Sequence, residues 1–352
     1  MRTSGVLKSL GAFTIAASCA WAQGNQKPEI QFDPSTGTVT VKLAVQDSDG
    51  HSIPDIRRDN FALYENGVRQ RNAIVEIEHA PVTLAMVMEW GGRYQAFNDA
   101  LYDNVPRAAR QLLAEIGPKD KIGIWTYGDR VQPIADFSKG HEALDALFLN
   151  LEKPQFSETN LFDALVSTLR QMKTVSGRKA LVLISSGIDT FSRASYADVV
   201  AAARECGTPV YVVSLAPSLR EAVAQSTEVG PYSRLDWGRA ERELQEIAKT
   251  SGGRVYSPNS TFDMSGIYDD MMENLRVRYV ITYNSHQRDV TAVRTVRVEL
   301  IDPATGGPLQ ILNAKGKPVQ ANSLIQESSI PTAGPVARAA TAAAVKKSTK
   351  AY

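Results

Sequence analysis

The sequence predicts a doubly wound α/β domain, built on a mostly parallel sheet and inserted between β-rich segments that join into a small β-sandwich or sheet. Three observations carry this. Two apolar runs, 81–88 (PVTLAMVM) and 180–184 (ALVLI), each stop abruptly at a polar, turn-forming stretch. Runs this apolar read as parallel strands covered on both faces. Apolar stretches of strand length then alternate with stretches of helical periodicity, the order of a doubly wound sheet. On either side, 28–79 and 276–301 carry period-two alternation, the pattern of half-buried strands.

From the amino end, 38–45 (TVTVKLAV) reads as a strand closed by the turn Asp47-Ser48-Asp49-Gly50, and Asn66-Gly67 between FALYE and VRQRNAIVEIE is a strong hairpin signal. Strand 82–88 leads to a helix within 97–116, which Gly117-Pro118 stops. Strand 122–127, an edge-like strand 131–137 and a helix over 142–151 follow. The stretch 160–173 is amphipathic, with Leu161, Ala164, Leu165, Thr168, Leu169 and Met172 on one face. Strand 179–184, helix 196–206, strand 210–215, helix 239–250, strand 255–257 and helix 262–275 complete the α/β region. The polar, turn-rich stretch 217–237 reads as a surface loop to which Tyr232 and Trp237 give aromatic reach. Strands at 276–284 and 292–301 alternate as the amino-terminal ones do. Two or three strands are marginal alone, so the segments before and after the α/β region are expected to pair. The expected units are a leader over 1–22, a β-rich segment over 28–80, the α/β domain over 81–275, a second β segment over 276–314, and a disordered basic tail over 315–352, rich in Ala, Lys, Ser, Thr and Pro.

Composition excludes several functions. Lys plus Arg number 39 and Asp plus Glu 38, so no field is set up that would recruit nucleic acid. The first residues combine Arg2 and Lys8, a short apolar core and Ala20-Trp21-Ala22, which reads as a secretory leader cleaved after Ala22. The protein is thus expected to be exported, periplasmic, outer-surface or extracellular, with a lipoprotein attached through Cys19 as a minor variant. No other stretch has the roughly 18 apolar residues of a membrane span, so no integral membrane segment is expected in the mature chain. Cys206 is then the single remaining cysteine, and no internal disulfide can form. No His-Glu-x-x-His, Cys-x-x-Cys, phosphate-loop or Gly-x-Gly-x-x-Gly spacing occurs, and the serines of SSGID lack the preceding glycine of a nucleophile elbow.

Open parallel sheets place ligands at the carboxyl ends of their strands, so Glu89 with its Gly-rich loop and Ser185-Ser186-Gly187-Ile188-Asp189 should meet at one site. The order of these loops, with SETNLFDAL, GRKALVLISSGIDT, GTPVYVVSL and LQEIAKTSGGRVY, resembles the von Willebrand factor type A domain, over about 81–274, and in particular a secreted von Willebrand A-related family abundant in acidobacteria. The resemblance implies a metal-ion-dependent adhesion site, in which hydroxyls and carboxylates hold a divalent cation that receives a partner's carboxylate. It places Glu89 at the first acidic position, Gly91 and Arg93 at the two serine positions, Thr159 at the threonine and Ser186 at the later aspartate, with Asp189 as a further candidate. Gly91 brings no ligand, and an inward Arg93 would oppose a cation such as Mg²⁺ by several kcal/mol at about 4 Å. The site therefore reads as degenerate, with no metal and no cofactor expected. The expected function is noncovalent protein–protein interaction or adhesion in the bacterial envelope, not enzymatic, through Glu89, Trp90, Arg93, Tyr94, Thr159, Asn160, Ser186 and Asp189. The alternatives are metal-dependent adhesion through Glu89, Thr159 and Asp189, a structural part in an envelope assembly, and a hydrolase using Ser186, which lacks a positioned base.

Overall fold

The computed structural model describes residues 29–45, 53, 56–92, 95–225, 235–259, 264–287, 294–312, 318–319 and 328–330. The leader expected over 1–22, and with it Cys19, lies outside them. At the amino end, β1 (Glu29–Asp33) and β2 (Thr38–Leu43) pair antiparallel, and β3 (Phe61–Glu65) turns through Asn66-Gly67 into β4 (Val68–Gln70). Asn66 and Gly67 both take positive φ, 49° and 80°, which the mirror-image two-residue turn requires. The chain then crosses to β5 (Ile74–His79) and runs directly into β6 (Val82–Glu89).

The α/β region follows as α1 (Gln95–Glu115), β7 (Lys121–Tyr127), β8 (Val131–Ala135), α2 (His141–Leu149), α3 (Leu161–Lys173), β9 (Arg178–Ser185), α4 (Tyr196–Cys206), β10 (Val210–Ser214), α5 (Ala216–Gln225), α6 (Trp237–Ser251), β11 (Val255–Tyr256) and α7 (Ser265–Arg276). Its six strands lie in the order β11-β10-β9-β6-β7-β8, parallel except for the antiparallel edge β8. Alternation along β6 shows how the sheet feeds two cores. Leu84, Met86 and Met88 pack with α1, α2, α5 and α7, while Ala85 and Val87 pack with α3, α4 and α6. Both faces are covered, which is why the strands read as continuous apolar runs.

Helix α7 passes into β12 (Val277–Asn284), and β13 (Arg294–Leu300) follows. The expected pairing of the flanking segments is present: β12 lies between β2 and β5, and β13 pairs with β3. Two four-stranded sheets result, β1-β2-β12-β5 and β16-β13-β3-β4, where β16 is Ser328–Ile330. Val39, Val41, Leu43, Leu63, Tyr279, Ile281, Val296 and Val298 fill the core between them. The short strands β14 (Ile311–Leu312) and β15 (Pro318–Val319) form a separate ribbon.

Two expectations need correcting. The surface loop over 217–237 is helical in its first half, because Leu219 is buried and Ala222 half-buried in the core against α1, and Trp237 opens α6. Tyr232 lies outside the described residues. The tail expected to be disordered from Lys315 contributes β15 and β16, the latter pairing with β13 at Arg294↔Ile330.

Candidate functional site

The carboxyl ends of β6, β7 and β9 converge on Glu89. Its side chain is fully buried and surrounded by neutral donors. Oε2 accepts from the Ser186 backbone N–H at 2.6 Å, and Oε1 from the Ser186 hydroxyl at 2.9 Å. The Ser185 hydroxyl at 3.2 Å and the Tyr127 hydroxyl at 3.3 Å also reach Oε2, and these two oxygens lie 2.7 Å apart. Burial lifts the Glu89 carboxyl to about 7, outweighing the donors that oppose the rise. Burial and the neighbouring Glu89 likewise push the Tyr127 hydroxyl well above its ordinary value.

The serines are fixed in turn. Ser185 Oγ accepts from Gly187 N–H at 2.9 Å and Ser186 Oγ from Ile188 N–H at 3.1 Å, so each closes a local turn. Gly187 is demanded at that bend, where φ is +82° and a Cβ would come within 2.7 Å of Leu244 Cδ1.

A second set of contacts ties the neighbouring loops together. Thr159 donates its N–H to Thr190 Oγ1 at 2.7 Å, accepts from Thr190 N–H at 2.9 Å, and donates its hydroxyl to the Gly91 carbonyl at 3.3 Å. Asn160 donates to the carbonyls of Gly128 and Asp129. Its side chain does not cap α3; that is done from another loop, where Asp189 accepts from Phe162 N–H at 3.1 Å and Ser192 Oγ from Asp163 N–H at 3.2 Å. Asp163 returns the contact by accepting from Arg193 and Ala194 N–H. The loop after β9 and the first turn of α3 thus satisfy each other's backbone groups.

The expected residues are therefore brought together, but not as a cation cage. Glu89, Ser186, Thr159 and Gly91 share the sheet end, whereas Asp189 turns away to cap α3. Trp90 does not cover the site either. It packs against the core with its ring 6.2 Å from that of Tyr102, and its indole N–H donates to the Glu152 carbonyl. Arg93 and Tyr94 lie outside the described residues. A divalent cation fits the remaining oxygens poorly. Both Glu89 oxygens and the hydroxyls of Thr159 and Ser186 are already engaged with one another or with backbone, and a hard cation needs about six oxygens at short distance. Among the described residues, no group of three or more His, Cys, Asp or Glu is placed to hold a metal.

Tyr127 was missed in the sequence, while Ser157 and Ser185 fell in the expected loops without an assigned role. Tyr127 and Ser185 complete the Glu89 cluster. Ser157 explains Gly91: a Cβ at position 91 would lie 2.2 Å from Ser157 Oγ, and one at Gly128 would lie 2.7 Å from it. The hydroxyl sits between two glycines, in the space that a side chain at 91 would take. It is buried and without a hydrogen-bond partner, as are Asn98 Oδ1 and Asn160 Oδ1 nearby in the fold. The signal available was the pair of glycines, each just beyond a strand end.

A scan against protein-family models finds no match, and neither does a search of curated proteins. Among solved structures, the chain is similar to an aerotolerance-related membrane protein from Bacteroides fragilis, at 15% identity and a TM-score of 0.41, over 55% of this chain and 98% of that one. It is similar to proximal thread matrix protein 1 of the mussel byssus at 13% identity and a TM-score of 0.44, over 60% of this chain and 51% of that one. It is also similar to a von Willebrand factor type A protein from Catenulispora acidiphila at 10% identity and a TM-score of 0.41, over 74% of each chain. By its own sheet order, with helices packed on both faces, the chain carries a doubly wound α/β domain.

Proposed function

We propose that this is an exported protein that binds another protein noncovalently, through the loops at the carboxyl edge of its parallel sheet and without a metal ion. The observation that carries the reading is the way three chain regions, 89–92, 157–160 and 185–192, are locked to one another at that edge by hydrogen bonds. Recognition loops held this rigidly lose little freedom on binding. The rim they form presents Phe156 and Phe191, both largely exposed. The Glu89 cluster is closed by its own donors, so contact falls to the rim. Export rests on the leader-like first 22 residues, and no described helix is long and apolar enough to cross a membrane.

No reaction is assigned. The Ser186 hydroxyl donates to Glu89 and accepts from Ile188 N–H, and Glu89 is itself held by the Ser186 backbone N–H and two further hydroxyls, so both groups are engaged inside the buried cluster. The test is calorimetry of the purified chain with Mg²⁺, Mn²⁺ and Ca²⁺. Absence of binding in the micromolar range is expected, together with capture of an envelope partner that is unchanged by chelator and lost on Phe156→Ala/Phe191→Ala. A divalent-ion isotherm abolished by Thr159→Ala would overturn the metal-free reading, and capture indifferent to both phenylalanines would overturn the rim.

A further inference from the structure

We propose that β5, on the open flank of the β-sandwich, is a strand-addition site for an extended, basic segment of another protein. This goes beyond the sheet-edge reading above and does not depend on it. β5 is an edge of its sheet: it pairs with β12 over its whole length, from Val277↔His79 to Thr282↔Ile74, with no register shift. Among the described residues nothing pairs with its other side. An antiparallel edge leaves a row of N–H and C=O groups directed outward, which is the template that an added strand completes.

The flank is apolar as well as unpaired. Contacts of β1 with β16 put those two edges together, so β5 and β4 share the opposite flank of the sandwich. On that flank Ile74 is 51% exposed, Ile77 48% and Val68 63%. Edges that avoid pairing are usually blunted by Lys, Pro or a bulge. β5, with the sequence IVEIEH, carries no Lys, Pro or bulge, and the charges it does carry are acidic, Glu76 and Glu78.

Charge decides the occupant. Of the two carboxylates on β5, Glu78 is held by Lys42 at 3.2 Å and Arg178 at 3.0 Å, while Glu76 stands exposed. A second copy is disfavoured by register. A two-fold axis normal to the sheet keeps each residue on its own face, so residues of like parity must oppose. The two registers of greatest overlap then set Glu76 against Glu76 or Glu76 against Glu78, and like charges directly opposite destabilise a sheet. In a strand alternating apolar and basic residues the basic side chains then lie on the face of Glu76, and the apolar ones on the opposite face beside Val75 and Ile77.

The probe is a synthetic heptapeptide, Val-Lys-Val-Lys-Val-Lys-Val, titrated into the full chain and followed by fluorescence anisotropy and backbone hydrogen exchange. The expected result is saturable binding with new exchange protection at 74–79. Affinity should fall roughly fivefold in Glu76→Lys, the weight of one cross-strand charge pair, and vanish for the same peptide N-methylated at alternate residues, an arm that needs no protein variant. Absence of protection at 74–79 with millimolar peptide, or equal binding of the N-methylated peptide or of its glutamate counterpart, would overturn the proposal. Concentration-dependent dimerisation abolished by Ile77→Lys would replace the basic strand with a second copy.

Discussion

Among the described residues two glutamates are buried, one in each of the molecule's architectures, and they are treated oppositely. Glu65 in the β-sandwich faces a guanidinium: Arg294 Nε lies 3.2 Å from its Oε1, and the Ser285 hydroxyl donates to both oxygens at 2.9 Å. Arg294 is itself fully buried, with its guanidinium 3.7 Å from the centre of the Phe32 ring and a bond to the Gln287 carbonyl. Among the described residues, the partners of Glu89 in the α/β region are hydroxyls and one backbone N–H, with no cation. The first carboxylate is matched by charge and joins strands from the two ends of the chain. The second is matched by neutral donors, and its proton becomes the variable. Burial of an acid thus leads either to a fixed ion pair or to a titration displaced toward neutrality, according to whether a cation shares the site.

Breaking the ion pair should have the largest effect. Arg294→Met leaves Glu65 buried without its counter-charge, and losses of this kind run to about 3–5 kcal/mol. Thermal or denaturant unfolding should register that drop, and Glu65→Leu added to Arg294→Met should recover most of it. If the double variant is no more stable than the single, Arg294 acts through its packing on Phe32 and not through charge.

The contrasting prediction concerns Glu89. Its carboxyl titrates near 4.5 when unfolded and at about 7 when folded, so the folded state favours the protonated form. The stability this gives is complete below about pH 4.5 and is lost as pH rises toward 7, to a total of about 3 kcal/mol from this group. Glu89→Gln should therefore match the wild type in acid and exceed it at pH 8, with the difference opening between pH 5 and 7. A difference independent of pH would mean that the carboxyl is ionised throughout, and the comparison with Glu65 would collapse.

These contrasts mark how far the sequence could be read. Strand ends were legible, since an apolar run stopping at Glu89 or at Ser185 states where a doubly covered strand leaves the core, and the hairpin at Asn66-Gly67 was legible because few residues tolerate those dihedrals. The sandwich followed from alternation. The site's closure was not legible. Glu89's partners Tyr127 and Ser185 come from different strands, and Asp189 was read as a candidate ligand because its capping of Phe162 spans 27 positions. Helix α5 was hidden because the polar composition of 217–237 averages a packed half containing Leu219 with the following stretch of different character. Arg294 gave no signal, as an arginine in an alternating strand reads as solvent-facing until the partner at Glu65 is known.

Below both glutamates in expected size stands Gly91. A Cβ there meets Ser157 Oγ at 2.2 Å, a distance that requires movement. Gly91→Ala should cost about 1–3 kcal/mol by overpacking. Ser157→Gly empties that space, and combined with Gly91→Ser it should restore stability to near the wild type. Additive losses would show that the hydroxyl is not what excludes a side chain at 91.

The smallest effect is expected at Asp189, and it separates the two roles that residue could have. As a cap delivered from outside the helix, its carboxylate satisfies Phe162 N–H and holds Ser192 in place to receive Asp163 N–H. Asp189→Ala should cost about 1 kcal/mol, the ordinary worth of a helix amino-terminal cap, while Asp189→Asn, which keeps an acceptor, should lose less. Because α3 carries Leu161 and Phe162 into the core at its first turn, amide exchange should quicken at 161–163 before it does elsewhere in the helix. Chelator or added divalent ion should leave both losses unchanged. A cation-dependent difference between wild type and Asp189→Ala would return this carboxylate to the role of metal ligand, and would remove the neutral environment on which the contrast with Glu65 depends.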